Sequence, residues 1–168
     1  MDYGLFVARV VLGGLMAAHG AQKLFGWFGG HGLAGTAGFM EALGFRPGRL
    51  FASVAASGEF ASGLLVATGL FGPIGPAIML SVMIVAAVSV HWRHGVFAAS
   101  NGVEVPLLYA AGAAALVLTG PGRYSLDSLL GAASVWTPGL DWLALAIGVA
   151  GAAASLAMRR LPPSTATA

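Results

Sequence analysis

Six side chains in this sequence have the types and positions that could do chemistry: His19, Lys23, Glu59, His91, His94 and Glu104. Glu59 stands nine positions into the apolar run 50–70, roughly 13 Å deep if that run is a helix crossing a bilayer. An acid at that depth costs about 2.5 kcal/mol or more and must face a partner or a wet cavity. Its helical neighbours at three, four and seven residues are Ala52, Ala55, Ala56, Ser62, Gly63 and Val66, almost all small. Glu59 therefore sits on a stripe that a second helix can approach closely. Two readings stay open: a protonated carboxyl bridging two helices, since burial favours the neutral acid, or a proton donor in a buried site.

In the first apolar run, Arg9, Gly13, Met16, Gly20 and Lys23 share one helical face, because their spacings stay close to whole turns. Arg9 and Lys23 are expected to extend toward opposite interfaces. His19, Gln22 and Lys23 gather polar groups at the end of that run. His91 and His94 close a later run and Glu104 opens the next. Two imidazoles with a carboxylate suit a transition metal by ligand type, yet the spacing is weakly diagnostic, so no metal is assigned and a structural or quinone-binding role is preferred. Trp27, Trp92, Trp136 and Trp142 fall at run ends and read as interfacial anchors.

The elements that must position these groups follow from composition. Of 168 residues, 58% are hydrophobic and 8% charged, against about 25% charged in a soluble domain. Eight basic and six acidic side chains cannot coat a globule of this size. The formal net charge of +2 is too scattered for a nucleic-acid footprint. With no cysteine, thiolate nucleophiles, disulfides and thiolate-held clusters are excluded. The N-terminus lacks the basic region of a signal peptide, so the first run reads as a membrane span.

Five runs approach the roughly 20 residues that cross a bilayer: 3–24, 50–70, 73–92, 104–119 and 142–158. Gly72-Pro73-Ile74-Gly75-Pro76 breaks the second from the third and predicts a helical hairpin. The glycine-rich segment 26–49 predicts a surface or re-entrant loop with one short helix, 121–140 a connector, and 161–168 a disordered tail. Lys23, Arg46, Arg49, Arg93, Arg159 and Arg160 fall on one side of five spans, with Arg9 and Arg123 on the other. That imbalance puts the C-terminus in the cytoplasm.

The fold class is thus an all-α integral membrane protein: a four-helix transmembrane bundle over 1–131, with the glycine-rich loop at 26–49, and an extra hydrophobic segment over 132–160. Gly20-Ala21-Gln22-Lys23-Leu24-Phe25-Gly26, Gly58-Glu59, His91…His94-Gly95-Val96-Phe97, Glu104 and Gly120-Pro121-Gly122-Arg123-Tyr124-Ser125-Leu126-Asp127 together resemble the bacterial DoxX family. The resemblance implies a four-helix bundle in the bacterial inner membrane, similar to the small membrane subunit of thiosulfate:quinone oxidoreductase and to quinol oxidase subunits. It implies quinone as the cofactor and a redox subunit as partner. Lys23, His19 and His91 would bind the quinone, and Glu59, His94 and Glu104 would deliver protons. The chain has no redox centre of its own, so whether it is itself an enzyme stays open and electrons must come from that partner. A non-enzymatic anchor or assembly module is the alternative, and a small proton or solute transporter ranks last. Small-residue stripes also permit a homo-oligomer.

Overall fold

The computed structural model describes residues 2–160; the segment 161–168, expected as a disordered tail, lies outside the described residues. Seven α-helices with short 3-10 turns between them make up those residues, and no strand occurs among them. Helix α1 (Asp2–Phe25) carries an acid in its first turn and Lys23 in its last, the order that the helix dipole favours. The chain then makes a 3-10 turn at Trp27–Gly29 and a short helix α2 (Gly32–Ala42). Helix α3 (Gly48–Thr68) ends at Gly69, whose φ of 66° closes the helix in the left-handed region. Helix α4 (Ile74–Ala86) starts at the proline-rich turn and continues through a widened turn at Ala87–His91 to His94. Helix α5 (Glu104–Thr119) and the one-turn α6 (Leu126–Leu129) lead into α7 (Pro138–Ala157).

Helices α1, α3, α4 with its extension to His94, and α7 are long and apolar enough to cross a membrane. Helix α5 has 16 residues, about 24 Å. Their outer faces expose Val7, Val11, Leu15, Leu108 and Ile147. Such a surface has no stable place in water, and the protein is a multi-pass membrane protein in contact with lipid. The last span is longer than the run 142–158 suggests. It begins at Pro138, where a proline costs no helical hydrogen bond, and its 20 residues suffice to span.

The core unites four helices: Met16 of α1, Val66 of α3, Met79 and Met83 of α4, and Tyr109 and Ala113 of α5. The closest seam is α1 against α3. A Cβ on Gly20 would stand 2.4 Å from the Phe60 nitrogen, one on Gly63 2.3 Å from the Ala17 nitrogen, and one on Gly13 2.4 Å from the Ala67 nitrogen. No side chain fits there, so the backbones touch, which is how helices gain dispersion energy where lipid is as apolar as leucine. Helix α7 docks on α4 through Gly148, whose added Cβ would meet the Ala77 carbonyl at 2.7 Å. Its end is tied to the α2–α3 loop, with the Arg160 N–H donating to the Gly44 carbonyl at 2.8 Å. The ends of α1, α4 and α7 and the starts of α3 and α5 thus lie at one end of the bundle, called the Lys23 end below.

Replacing Gly63 by valine should lower the thermal midpoint in detergent, with an overpacking cost of about 1–3 kcal/mol or more. Gly14→Val is the control, since nothing lies within 4 Å of a Cβ there. Equal midpoints for the two variants in a circular-dichroism melt would contradict the seam.

Candidate functional site

The α1–α3 seam sets the polar pair. Gly20 lies against Phe60, so Lys23, one turn further along the same face of α1, arrives beside Glu59. Its ammonium donates to Glu59 Oε1, forming the one ion pair found among the described residues. The pair is sealed on one side only: the Glu59 side chain is 3% exposed and that of Lys23 36%. Glu59 Oε2 is buried and has no hydrogen-bond partner among the described residues. A carboxylate has acceptor sites for several donors, and a buried oxygen left without one costs about 1–3 kcal/mol or more. Glu59 thus keeps one acceptor site unfilled among the described residues, inside the α1–α3 seam and beside a lysine that is partly open.

Two further groups border the pair. Tyr109 of α5 is buried and close enough to Glu59 to feel its charge. Its ring meets that of His19 edge to face, with centroids 6.4 Å apart. His19 itself is exposed on α1. Sequence reasoning passed over Tyr109. The available signal was its phenol, the one polar tip between Pro106 and Leu118 in a run of alanine, leucine, valine and glycine. A tyrosine buried so far inside a span needs a polar neighbour.

His91, His94 and Glu104 form a separate group at the Lys23 end. His91 Nδ1 donates to the Asn101 carbonyl at 2.7 Å, and His94 Nδ1 to the Val90 carbonyl at 3.0 Å. Because a carbonyl can only accept, each Nδ1 carries the proton and each Nε2 is left as the basic nitrogen. Glu104 Oε2 accepts the Ala98 N–H at 2.7 Å. These bonds fold the 95–103 loop back on itself, aided by backbone pairing of Val103 with Gly95 and of Glu104 with Val96. Gly58, next to Glu59, faces Val82 on α4. His91, nine residues beyond Val82, is therefore about 13 Å further along the bundle. No group of three or more His, Asp or Glu able to hold a metal occurs among the described residues.

The opposite end holds the other buried charges. Asp127 is 1% exposed and accepts from the Phe71 N–H (2.9 Å), the Gly72 N–H (2.6 Å) and Trp136 Nε1 (2.7 Å). It thereby fastens the α3–α4 turn to the segment before α7, and Trp136 is a clamp as well as an aromatic at a span end. Arg9 does not extend to the interface as expected. It is 2% exposed, lies against Gly69, donates to the Tyr124 carbonyl and feels the charge of Asp127.

The glycine-rich segment serves the Lys23 site. Gly26 ends α1 with φ 73°, and Gly30 packs on the Gln22 carbonyl, where a Cβ would lie at 2.3 Å. Helix α2 then crosses the end of α1, with the Thr36 hydroxyl donating to the Gly32 carbonyl at 2.8 Å and lying 3.4 Å from that of Lys23.

The DoxX family model matches residues 4–92, just over half of the chain, from the start of α1 to the end of α4. It takes in Lys23, Glu59 and His91. No curated protein and no solved structure matches the chain.

Lys23→Met should destabilise the protein by an amount near the low end of about 3–5 kcal/mol, because it strands a buried carboxylate while its own position is part exposed. The double variant Lys23→Met/Glu59→Gln should recover much of that loss in detergent melts. A double variant no more stable than Lys23→Met would mean that the two residues do not act as a unit.

Proposed function

The chain belongs to the DoxX family, and on that premise we propose that it is an integral membrane subunit of a quinone-linked oxidoreductase, holding the quinone ring at the Lys23–Glu59 pair. One observation carries the reading: a buried Glu59 oxygen without a partner, next to a lysine that is open on one side. A quinone ring offers carbonyl oxygens that need donors, and a quinol offers hydroxyls that need acceptors. Lys23 and His19 supply the donors, and Glu59 Oε2 is the acceptor.

When bound, the quinone takes up two electrons and two protons to become a quinol. Lys23 would donate to one quinone carbonyl and polarise it. The proton shared between the Lys23 ammonium and the Glu59 carboxylate would pass to that carbonyl oxygen, leaving the pair to be reprotonated from the Lys23 end. Tyr109 borders Glu59 on the α5 side. The second proton enters from the Lys23 end, where the free Nε2 of His91 and of His94 and the Glu104 carboxylate stand at the aqueous margin. The chain has no cysteine and no haem-attachment or nucleotide motif. The electrons therefore come from a partner redox subunit. The end rich in arginine faces the cytoplasm of the bacterial inner membrane, by the excess of basic residues there.

Purification in mild detergent with mass spectrometry of the extracted lipids should find quinone held by the wild type. Lys23→Met should lose it. Glu59→Gln should keep it while slowing quinone reduction by the native membrane complex about 100-fold or more. Absence of quinone from the wild type, with a soluble enzyme tightly retained, would leave the protein as a membrane anchor. Unchanged turnover in Glu59→Gln would remove Glu59 from proton delivery.

A further inference from the structure

A second feature lies on the other side of α3. Helices α3, α4 and α7 diverge around a groove of about 400 Å³, walled by Phe45, Ala55, Gly58, Ile78, Val85 and Ile147 among others. Among the described residues its only polar side chains are Ser81 and Ser155. No charged side chain lines it, so its wall suits an apolar chain rather than a charged ligand. Gly58 of α3 lies against Val82 of α4. The lining runs from Phe51 to Gly58 on one helix and from Val82 back to Ile74 on the other, about 22 Å in all. That is long enough to seat an extended chain and shorter than a bilayer core roughly 30 Å thick.

The two ends of the groove differ in charge. The Phe45 end lies at the Lys23 end of the bundle, where Arg46, Arg49, Arg159 and Arg160 converge from the start of α3 and the end of α7. Arg159 is committed to the wall: it donates to the Leu43 carbonyl and its guanidinium lies 5.9 Å from the centre of the Phe45 ring. Arg46, Arg49 and Arg160 are exposed. The acid beside them, Glu41, accepts the Gly48 N–H at 3.1 Å. The opposite end has Asp127 and Asp141 near it and no such excess of cations.

We propose that this groove is a binding site for an anionic phospholipid, one acyl chain lying between α3, α4 and α7 and the phosphate meeting Arg46 and Arg160. Basic clusters between spans hold anionic headgroups by this combination of charge and apolar wall. The site depends on α7, which lies beyond the residues that the family model matches, and it is separate from the quinone site proposed at Glu59.

Native mass spectrometry in detergent, with added dioleoyl phosphatidylglycerol or dioleoyl phosphatidylcholine, tests it. The wild type should retain the phosphatidylglycerol about tenfold better. Arg46→Gln/Arg160→Gln, changed only at exposed positions, should lose that preference while keeping its melting midpoint. Ala144→Phe, which fills the groove, should lose both lipids. Equal retention of the two lipids by the wild type overturns the proposal, as does unchanged phosphatidylglycerol retention in Ala144→Phe. Displacement of the phospholipid by a long-chain quinone would assign the groove to an isoprenoid tail instead. A dimer that Ala144→Phe abolishes would assign it to a second copy of the chain. Either result also overturns the proposal.

Discussion

Backbone contact between α1 and α3 is the constraint on which the rest depends. Gly13, Gly20 and Gly63 leave no room for a Cβ, and helices that meet so closely are fixed in register as well as in distance. Register is what matters here. Slide α1 by one turn and Lys23 would leave Glu59, Arg9 would leave Gly69, and two buried charges would lose their surroundings together. In a membrane the hydrophobic effect does not favour one helix pairing over another. Steric fit of glycines and the cost of an unpaired charge must therefore select it, and in this protein both select the same alignment.

The few charges divide into two groups with different jobs. At the end near Arg9, Asp127 spends both carboxylate oxygens on backbone and indole N–H groups, and the Arg9 guanidinium reaches the Tyr124 carbonyl. Those contacts tie the α3–α4 turn to the segment leading into α7. At mid-depth, Glu59 has one oxygen engaged and one free. One buried acid is thus satisfied three times over and acts as a clamp, while the other has an oxygen without a partner among the described residues.

Much of this was legible in the sequence because bilayer insertion penalises charge so heavily that each charged residue in an apolar run carries information. Glu59 was located by depth, and the small stripe around it predicted the close helix. The shared face of Arg9 and Lys23 was equally readable. What the sequence hid was which side of α3 each neighbour would occupy. Pairing Lys23 with Glu59 needs the antiparallel register of Gly20 on Phe60, a tertiary fact that no spacing within one helix encodes. Arg9 went astray for a related reason: its depth allowed an extended side chain, and only the carbonyl brought over by the α5–α6 connection decides otherwise. His91, His94 and Glu104 were grouped correctly by topology. The bonds of His91 to the Asn101 carbonyl and of Glu104 to the Ala98 N–H depend on how the 95–103 loop closes, which its composition leaves open. The start of α7 was placed late because the apolar run begins only at Trp142, whereas the helix starts at Pro138, where a proline in the first turn costs no hydrogen bond.

Helix α3 separates the Lys23–Glu59 pair from the apolar groove. Successive residues on a helix point about 100° apart, so Gly58 turns toward Val82 and the apolar groove while Glu59 turns toward Lys23. The glycine and the acid at adjacent positions need each other's environment. A side chain in place of Gly58 would press on the Val82 methyl, which an added Cβ already meets at 3.3 Å. Because α3 is also locked to α1 through its glycines, it cannot shift without disturbing the pair at Glu59. A chain resting in the groove would therefore hold α3 between two fixed contacts, and the carboxyl with its free oxygen would keep its place on the opposite face.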